Sequence, residues 1–163
     1  MLQVVISKQL GKLLEQQVAN ELQAHNLYLG IAIWFGQQSL DKWADFFYKQ
    51  AEEEREHAMK IVHFLVDVGY EFHLGPISAV KASFKDAVAA VNAASKNEQT
   101  VTGQFKQMAE VALKNKDFVG FQFLQWFLEE QVEEEALMQK LLDILAQQPN
   151  PREAELHLER GEH

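Results

Sequence analysis

Four apolar stripes at helical spacing, each broken at mid-length by acidic or amide side chains, constrain this chain more than any other feature. Alternating steps of four and three residues follow one face of a helix. The first stripe reads Leu14, Val18, Glu21, His25, Tyr28, Ala32, Phe35. The second reads Trp43, Phe47, Gln50, Glu54, His57, Ile61, Phe64, Val68. The third reads Phe84, Val88, Val91, Ser95, Glu98, Thr102, Phe105, Ala109. The fourth reads Leu124, Phe127, Gln131, Glu134, Met138, Leu141, Leu145. Each is apolar at its ends and polar in its centre, with Glu21, Glu54, Glu98 and Gln131 at or beside the expected midpoints. An aligned bundle of these four helices would carry its oxygen donors at one level of the core.

The punctuation between stripes gives the element boundaries. The first helix is predicted from roughly Ser7 to Phe35, with Gly36 as its stop. The second starts near Ser39, read as an N-cap, and stops at Gly69. The third follows Ser83-Phe84-Lys85-Asp86, read as a capping box with Asp in the Glu position, and ends around Lys114-Asn115-Lys116. The fourth starts near Asp117, another N-cap candidate, and fades before Pro149. A charged tail, Arg152 to Arg160, has room for one or two more turns. The predicted division is residues 1–148 as the bundle and 149–163 as a short charged helix or tail.

Link lengths predict topology. The first-to-second and third-to-fourth links span a few residues, as between antiparallel neighbours. The link from about Gly69 to Ala82 reaches roughly 45 Å when extended at ~3.3 Å per residue. A helix of about 29 residues is roughly 43 Å long. This link can therefore run the length of the bundle and leave helices two and three parallel. That is an all-α four-helix bundle with one long crossover.

Composition supports the same picture. The chain has 163 residues, enough for one domain with its own core, and 47% of them are apolar. The formal net charge of −9 disfavours a nucleic-acid binder, which needs a basic face, and suits a protein that attracts cations. There are no cysteines, so a metal site must use oxygen and imidazole. Met1 to Ser7 is too short for a signal peptide and no run approaches membrane-spanning length, so the expected location is cytoplasmic.

Carboxylates inside a bundle need a counter-charge. Unpaired, each gives up several kcal/mol (about 2 or more) or neutralises itself. No lysine or arginine lies on these stripes. Divalent cations solve the problem. Glu54 and His57, three residues apart, point from one helix face toward a common ion. Several carboxylates with one imidazole suit iron(II) or manganese(II). Their number suggests two metals, with Glu54 the simplest bridge.

Singly, these features have bland readings. An E-x-x-H is usually a solvated pair. The run Glu129 to Glu135 would usually be a solvated face. His25 reads as a hydrogen-bonded core histidine, and Tyr28 as core. The conjunction of four interrupted stripes with the E-x-x-H carries the metal reading. Three rivals remain: a di-iron peroxidase or oxygenase on the same bundle, a metal-free helical interaction protein, and a DNA-protecting bundle that places its ligands between subunits, whereas here they converge within one bundle.

At these residues the chain resembles the bacterial non-haem ferritins, in particular the type found in actinobacteria, over about Ser7 to Ala146. The segments that carry the resemblance are Asn20-Glu21 with Tyr28, Phe46-Phe47-Tyr48 through Glu53-Glu54-Arg55-Glu56-His57-Ala58-Met59, Asn97-Glu98-Gln99-Thr100, and Phe123-Leu124-Gln125-Trp126-Phe127-Leu128-Glu129-Glu130-Gln131-Val132-Glu133-Glu134. The resemblance implies a first iron on Glu21, Glu54 and His57, and a second shared through Glu54 with Glu98 and Glu134. Gln131 would hydrogen-bond or order water beside that pair. Glu53, Glu130 and Glu133, with Glu134 shared, match a third iron site. Tyr28 and Trp126 match aromatics that supply electrons during oxygen reduction.

The resemblance also implies iron storage. Iron(II) would be oxidised by dioxygen or peroxide, and ferric mineral would be deposited inside a shell of twenty-four copies. No haem is expected, because bacterioferritins have methionine where this chain has Arg55 and a second E-x-x-H where it has Glu130 and Glu133. Family members end in a fifth helix that is often apolar. Here the tail is rich in charge, with Leu156 and Leu158 its main apolar positions.

Overall fold

The computed structural model describes residues 5–81 and 83–158. They form α1 (Lys8–Gln37), α2 (Asp41–Asp67), α3 (Ala87–Lys114), α4 (Phe118–Gln147) and the short α5 (Pro151–Ala154), which ends in a 3₁₀ turn, Glu155–His157. No strand occurs among the described residues. None of their helices is long and apolar enough to cross a membrane.

Two apolar clusters fix the helix directions. One contains Leu14 and Val18 of α1, Ile61 and Leu65 of α2, Phe105 and Met108 of α3, and Leu124 and Phe127 of α4. The other contains Ile31 and Phe35, Trp43 and Phe47, Ala90 and Val91, and Leu141 and Leu145 of the same helices in order. α1 and α4 thus enter at the first cluster and leave at the second, and α2 and α3 run the other way. Helices two and three are parallel, as the long link predicts.

The crossover climbs along α1. Tyr70 lies over Gly11, where an added Cβ would overlap its ring, and His73 N–H donates to Glu15 at 3.3 Å. The Lys81 carbonyl reaches Gly30, and the Phe84 ring meets Trp34 edge-on at 6.0 Å. Ala82, taken as the end of this link, lies outside the described residues.

The short turns correct two sequence expectations. Ser39 is not an N-cap: it has φ 59°, in the left-handed region, and closes α1. Its N–H bonds the Gly36 carbonyl, and the Leu40 N–H bonds that of Phe35. Gly69 closes α2 and Lys116 closes α3 with the same paired bonds, the motif that satisfies the last carbonyls of a helix. α1 therefore runs through Gly36, and α2 starts at Asp41. The Ser83–Asp86 capping box also does not form. Asp86 is itself the N-cap, its Oδ1 accepting from Ala89 N–H at 2.8 Å, so α3 starts at Ala87.

Ser7, the expected start of the first helix, is its N-cap, accepting from Leu10 N–H. Asp117 occupies the N-cap position of α4 but spends its side chain on Ser7, whose N–H donates to Oδ2 at 2.7 Å. Val88 leaves its expected stripe and is exposed, with Ala87 buried instead, because Phe84 precedes α3 and the step from Phe84 to Val88 is not helical. Phe64 likewise gives up the fully buried position to Leu65.

The tail docks on the Trp43 end of the bundle. Trp43 Nε1–H donates to the Pro151 carbonyl at 2.8 Å, Asn150 caps α5, and Ala154 is buried. The expected tail reaches Arg160 and the expected second segment reaches His163; Glu159–His163 lie outside the described residues.

Candidate metal centre

Between the two apolar clusters lies a polar layer. α1 contributes Glu21, α2 contributes Gln50, Glu54 and His57, α3 contributes Glu98, and α4 contributes Glu130, Gln131 and Glu134, all buried. Helical repeat places them there, since each sits on the face that turns inward above and below it.

Three groups of side chains bring possible ligand atoms within 4.8 Å of one another: Glu21, Glu54 and His57; Glu54, Glu98 and Glu134; and His57, Glu130 and Glu134. The first two share Glu54, the residue expected to bridge. Of the residues matched to a third site, Glu130 joins such a group and Glu134 is shared. Glu53 is half-buried, Glu133 is exposed, and neither enters a group of three.

Supporting contacts differ from acid to acid. Glu98 is well held: it accepts from the Tyr28 hydroxyl and, at 3.0 Å, from Gln131 Nε2. Gln131 also donates to the Thr102 hydroxyl at 3.1 Å, and Thr102 donates to Glu135 at 2.8 Å. Asn97 donates to the Tyr28 oxygen at 3.4 Å. His57 Nδ1 is 3.3 Å from Glu54 Oε2. Both oxygens of Glu21 and Oε1 of Glu54 are buried with no hydrogen-bond donor. Such orphaned acceptors are costly, and their chemistry fits a hard divalent cation.

Electrostatics agree with the geometry. Burial, followed by the nearby Glu54 charge, pushes the Glu21 carboxyl well above its usual range. Burial and Glu98 do the same to Glu54. Glu98 also rises through burial, with Tyr28 and Gln131 opposing. Glu134 is pushed up to about 8 by burial, then by Glu98 and Glu53. Burial beside Glu98 raises the Tyr28 phenol well above its ordinary value. Crowded buried acids are held toward the neutral form, and a divalent cation beside them would favour the charged one.

Gln50 was placed on a stripe by the sequence but given no role. It donates to Glu134 Oε2 at 2.8 Å and is fully buried. Its position one turn before Glu54 was the available signal. Nothing in the sequence pointed to Thr102 or Asn97 as partners. His25 is no part of the three groups; its Nδ1–H meets the Ala51 carbonyl at 2.6 Å, as the bland reading had it. Trp126 stands at the edge of the layer, its ring 5.5 Å from that of His57.

The family model for a ferritin-like domain matches residues 11–147. This chain belongs to the ferritin-like family. It is 39% identical over 132 residues to ferritin BfrB of Mycobacterium tuberculosis, covering 81% of this chain and 73% of that one. It is 35% identical over 141 residues to the bacterial non-heme ferritin of Staphylococcus aureus, covering 86% and 85%. Among solved structures, an open pore ferritin from Archaeoglobus fulgidus superposes with a TM-score of 0.89 at 30% identity, over 93% of this chain and 94% of that one. Ferritins are iron-storage helical bundles, and the acidic layer of this ferritin has the donor types that iron requires.

Proposed function

We propose that this ferritin oxidises iron(II) at a two-metal centre and stores the product as ferric mineral inside a multi-subunit shell. One observation carries the reading: two groups of buried ligands share Glu54, with acceptor oxygens that no donor reaches. Glu21, Glu54 and His57 hold one iron(II) substrate ion. Glu54, Glu98 and Glu134 hold the other.

Gln131 and Tyr28 fix both oxygens of Glu98, and Gln50 fixes one oxygen of Glu134. Held this way, the carboxylates meet the ions without reorganising. Each iron(II) gives up one electron. Dioxygen takes both, with two protons, and leaves as hydrogen peroxide; with peroxide as oxidant the product is water. Carboxylates bind the harder iron(III) more strongly, which favours the oxidised state. Glu130, with Glu53 and Glu133 beyond it toward solvent, offers the next oxygens for ions leaving the centre.

Assembly is supported by apolar side chains that the single chain leaves exposed, among them Val66, Leu74, Val88, Phe118, Val132 and Leu156. A closed shell of twenty-four copies in the cytoplasm, without haem, is the form proposed. A di-iron peroxidase or oxygenase that stores no mineral is the alternative reading, and nothing in the comparisons favours it.

The test is aerobic addition of several tens of iron(II) equivalents per chain, followed by size-exclusion chromatography with iron detection. Iron eluting with a particle many times the mass of one chain is the expected result. Fast oxidation with about two ions kept on a small species would reject storage and leave the alternative.

A further inference from the structure

Lys60 lies one helical turn after His57 on α2. Its long side chain could extend into water. Instead the ammonium sits 3.4 Å above the centre of the Trp126 ring and 6.0 Å from that of Phe127. The Trp126 ring in turn meets His57 edge-on at 5.5 Å and 82°. Stacking on an indole face holds a cation in place at the cost of part of its hydration. Glu130, four residues after Trp126 on the same face of α4, is the acid whose charge reaches Lys60 and offsets its partial burial. A positive charge is thus pinned on Trp126, next to His57 and Glu130 of the group formed by His57, Glu130 and Glu134.

We propose that Lys60 is a tethered cation that keeps the affinity of the His57–Glu130–Glu134 group for a divalent ion low, so that this group passes ions on rather than storing them. The proposal rests on the two-metal reading above: the outer group borrows His57 and Glu134 from the inner ones, and Glu130 is the ligand of its own. The reason is electrostatic. An ion on Glu130 meets the ammonium that the same carboxylate already attracts, and repulsion between like charges at an effective dielectric of ~20 changes affinity by roughly tenfold. Glu130, the ligand that neither inner group uses, is the acid whose charge reaches Lys60. Trp126 is the perch that stops the lysine from swinging clear.

The test is calorimetric titration of the assembled metal-free protein with zinc(II), which binds without oxidation, in the parent, Lys60→Met and Lys60→Arg. Melting curves establish that the variants fold. The parent should take up two ions tightly and a third weakly. In Lys60→Met, which keeps the packing and loses the charge, the third step should tighten by about tenfold with the first two unchanged. Lys60→Arg should match the parent. An unchanged third step in Lys60→Met, or equal tightening in both variants, overturns the proposal while two tight ions still stand for the inner centre. Absence of any tight ion in the parent overturns the two-metal reading itself, and this proposal with it.

Discussion

The ends of the bundle and its middle are built on opposite principles. At one end Phe35 stacks against Trp43 at 5.2 Å and Phe47 at 5.8 Å; at the other Phe105 stacks on Phe127 at 4.6 Å. These rings are fully buried, and the Trp43 N–H alone among them needs a polar partner, the Pro151 carbonyl. The middle buries Glu21, Glu54, Glu98 and Glu134, and their carboxyls are all pushed toward the neutral form. The ends stabilise the fold; the middle costs stability, a cost that the proposed cations would offset. Two apolar clamps on either side let the molecule hold acids in a place where they would otherwise separate.

Substitutions should divide along the same line. The largest loss of stability is expected from Phe35→Ala, at about 3–5 kcal/mol in denaturant unfolding, because it opens a cavity in a packed aromatic cluster. A loss below 1 kcal/mol would mean that the end is not the clamp described.

Glu54→Ala should act in the opposite sense. Removing the shared carboxylate should slow initial iron(II) oxidation by about 10²-fold or more. It should also leave the metal-free protein as stable as the parent or more so, since it relieves repulsion among buried acids. Stopped-flow absorbance and thermal melts read the two effects. Parent-like oxidation would remove Glu54 from the centre.

The middle layer should also give the metal-free protein an inverted pH response. The Glu134 carboxyl titrates near 4.5 ordinarily and at about 8 here. The stability from its neutral form is complete below 4.5 and is lost as pH rises through about 8, and Glu21 and Glu54 act in the same direction. The melting temperature of the metal-free protein should therefore fall between pH 5 and pH 8. Zinc(II) should restore it, and Glu134→Gln should flatten the slope. A melting temperature that rises across this window contradicts the account. The smallest effect lies outside both regions: Ser39→Gly should add about 0.5–1 kcal/mol, because φ 59° suits glycine better than serine.

The sequence announced the layer more clearly than the contacts that hold it. Stripes at helical spacing place Glu21, Glu54, Glu98 and Gln131 at or beside the helix midpoints, and so at one height in an aligned bundle. The crossover was legible as a length, and it does climb α1 from Gly11 to Trp34. Cap positions were less legible. Ser39 and Asp86 are both good N-caps by type, and which one caps depends on how many residues the turn before it consumes. Partners across helices were the least legible. That Gln50 serves Glu134, or that Thr102 links Gln131 to Glu135, depends on rotamers and on the relative rotation of neighbouring helices, which stripe periodicity does not encode.

The most direct test of the central claim is anomalous diffraction from crystals of this ferritin soaked in iron(II) without oxygen. The account predicts two strong iron peaks in each subunit, about 3.5–4 Å apart, one against Glu21 and His57, the other against Glu98 and Glu134, with Glu54 between them. Iron confined to the exposed acidic surface, with the middle layer empty, would contradict it.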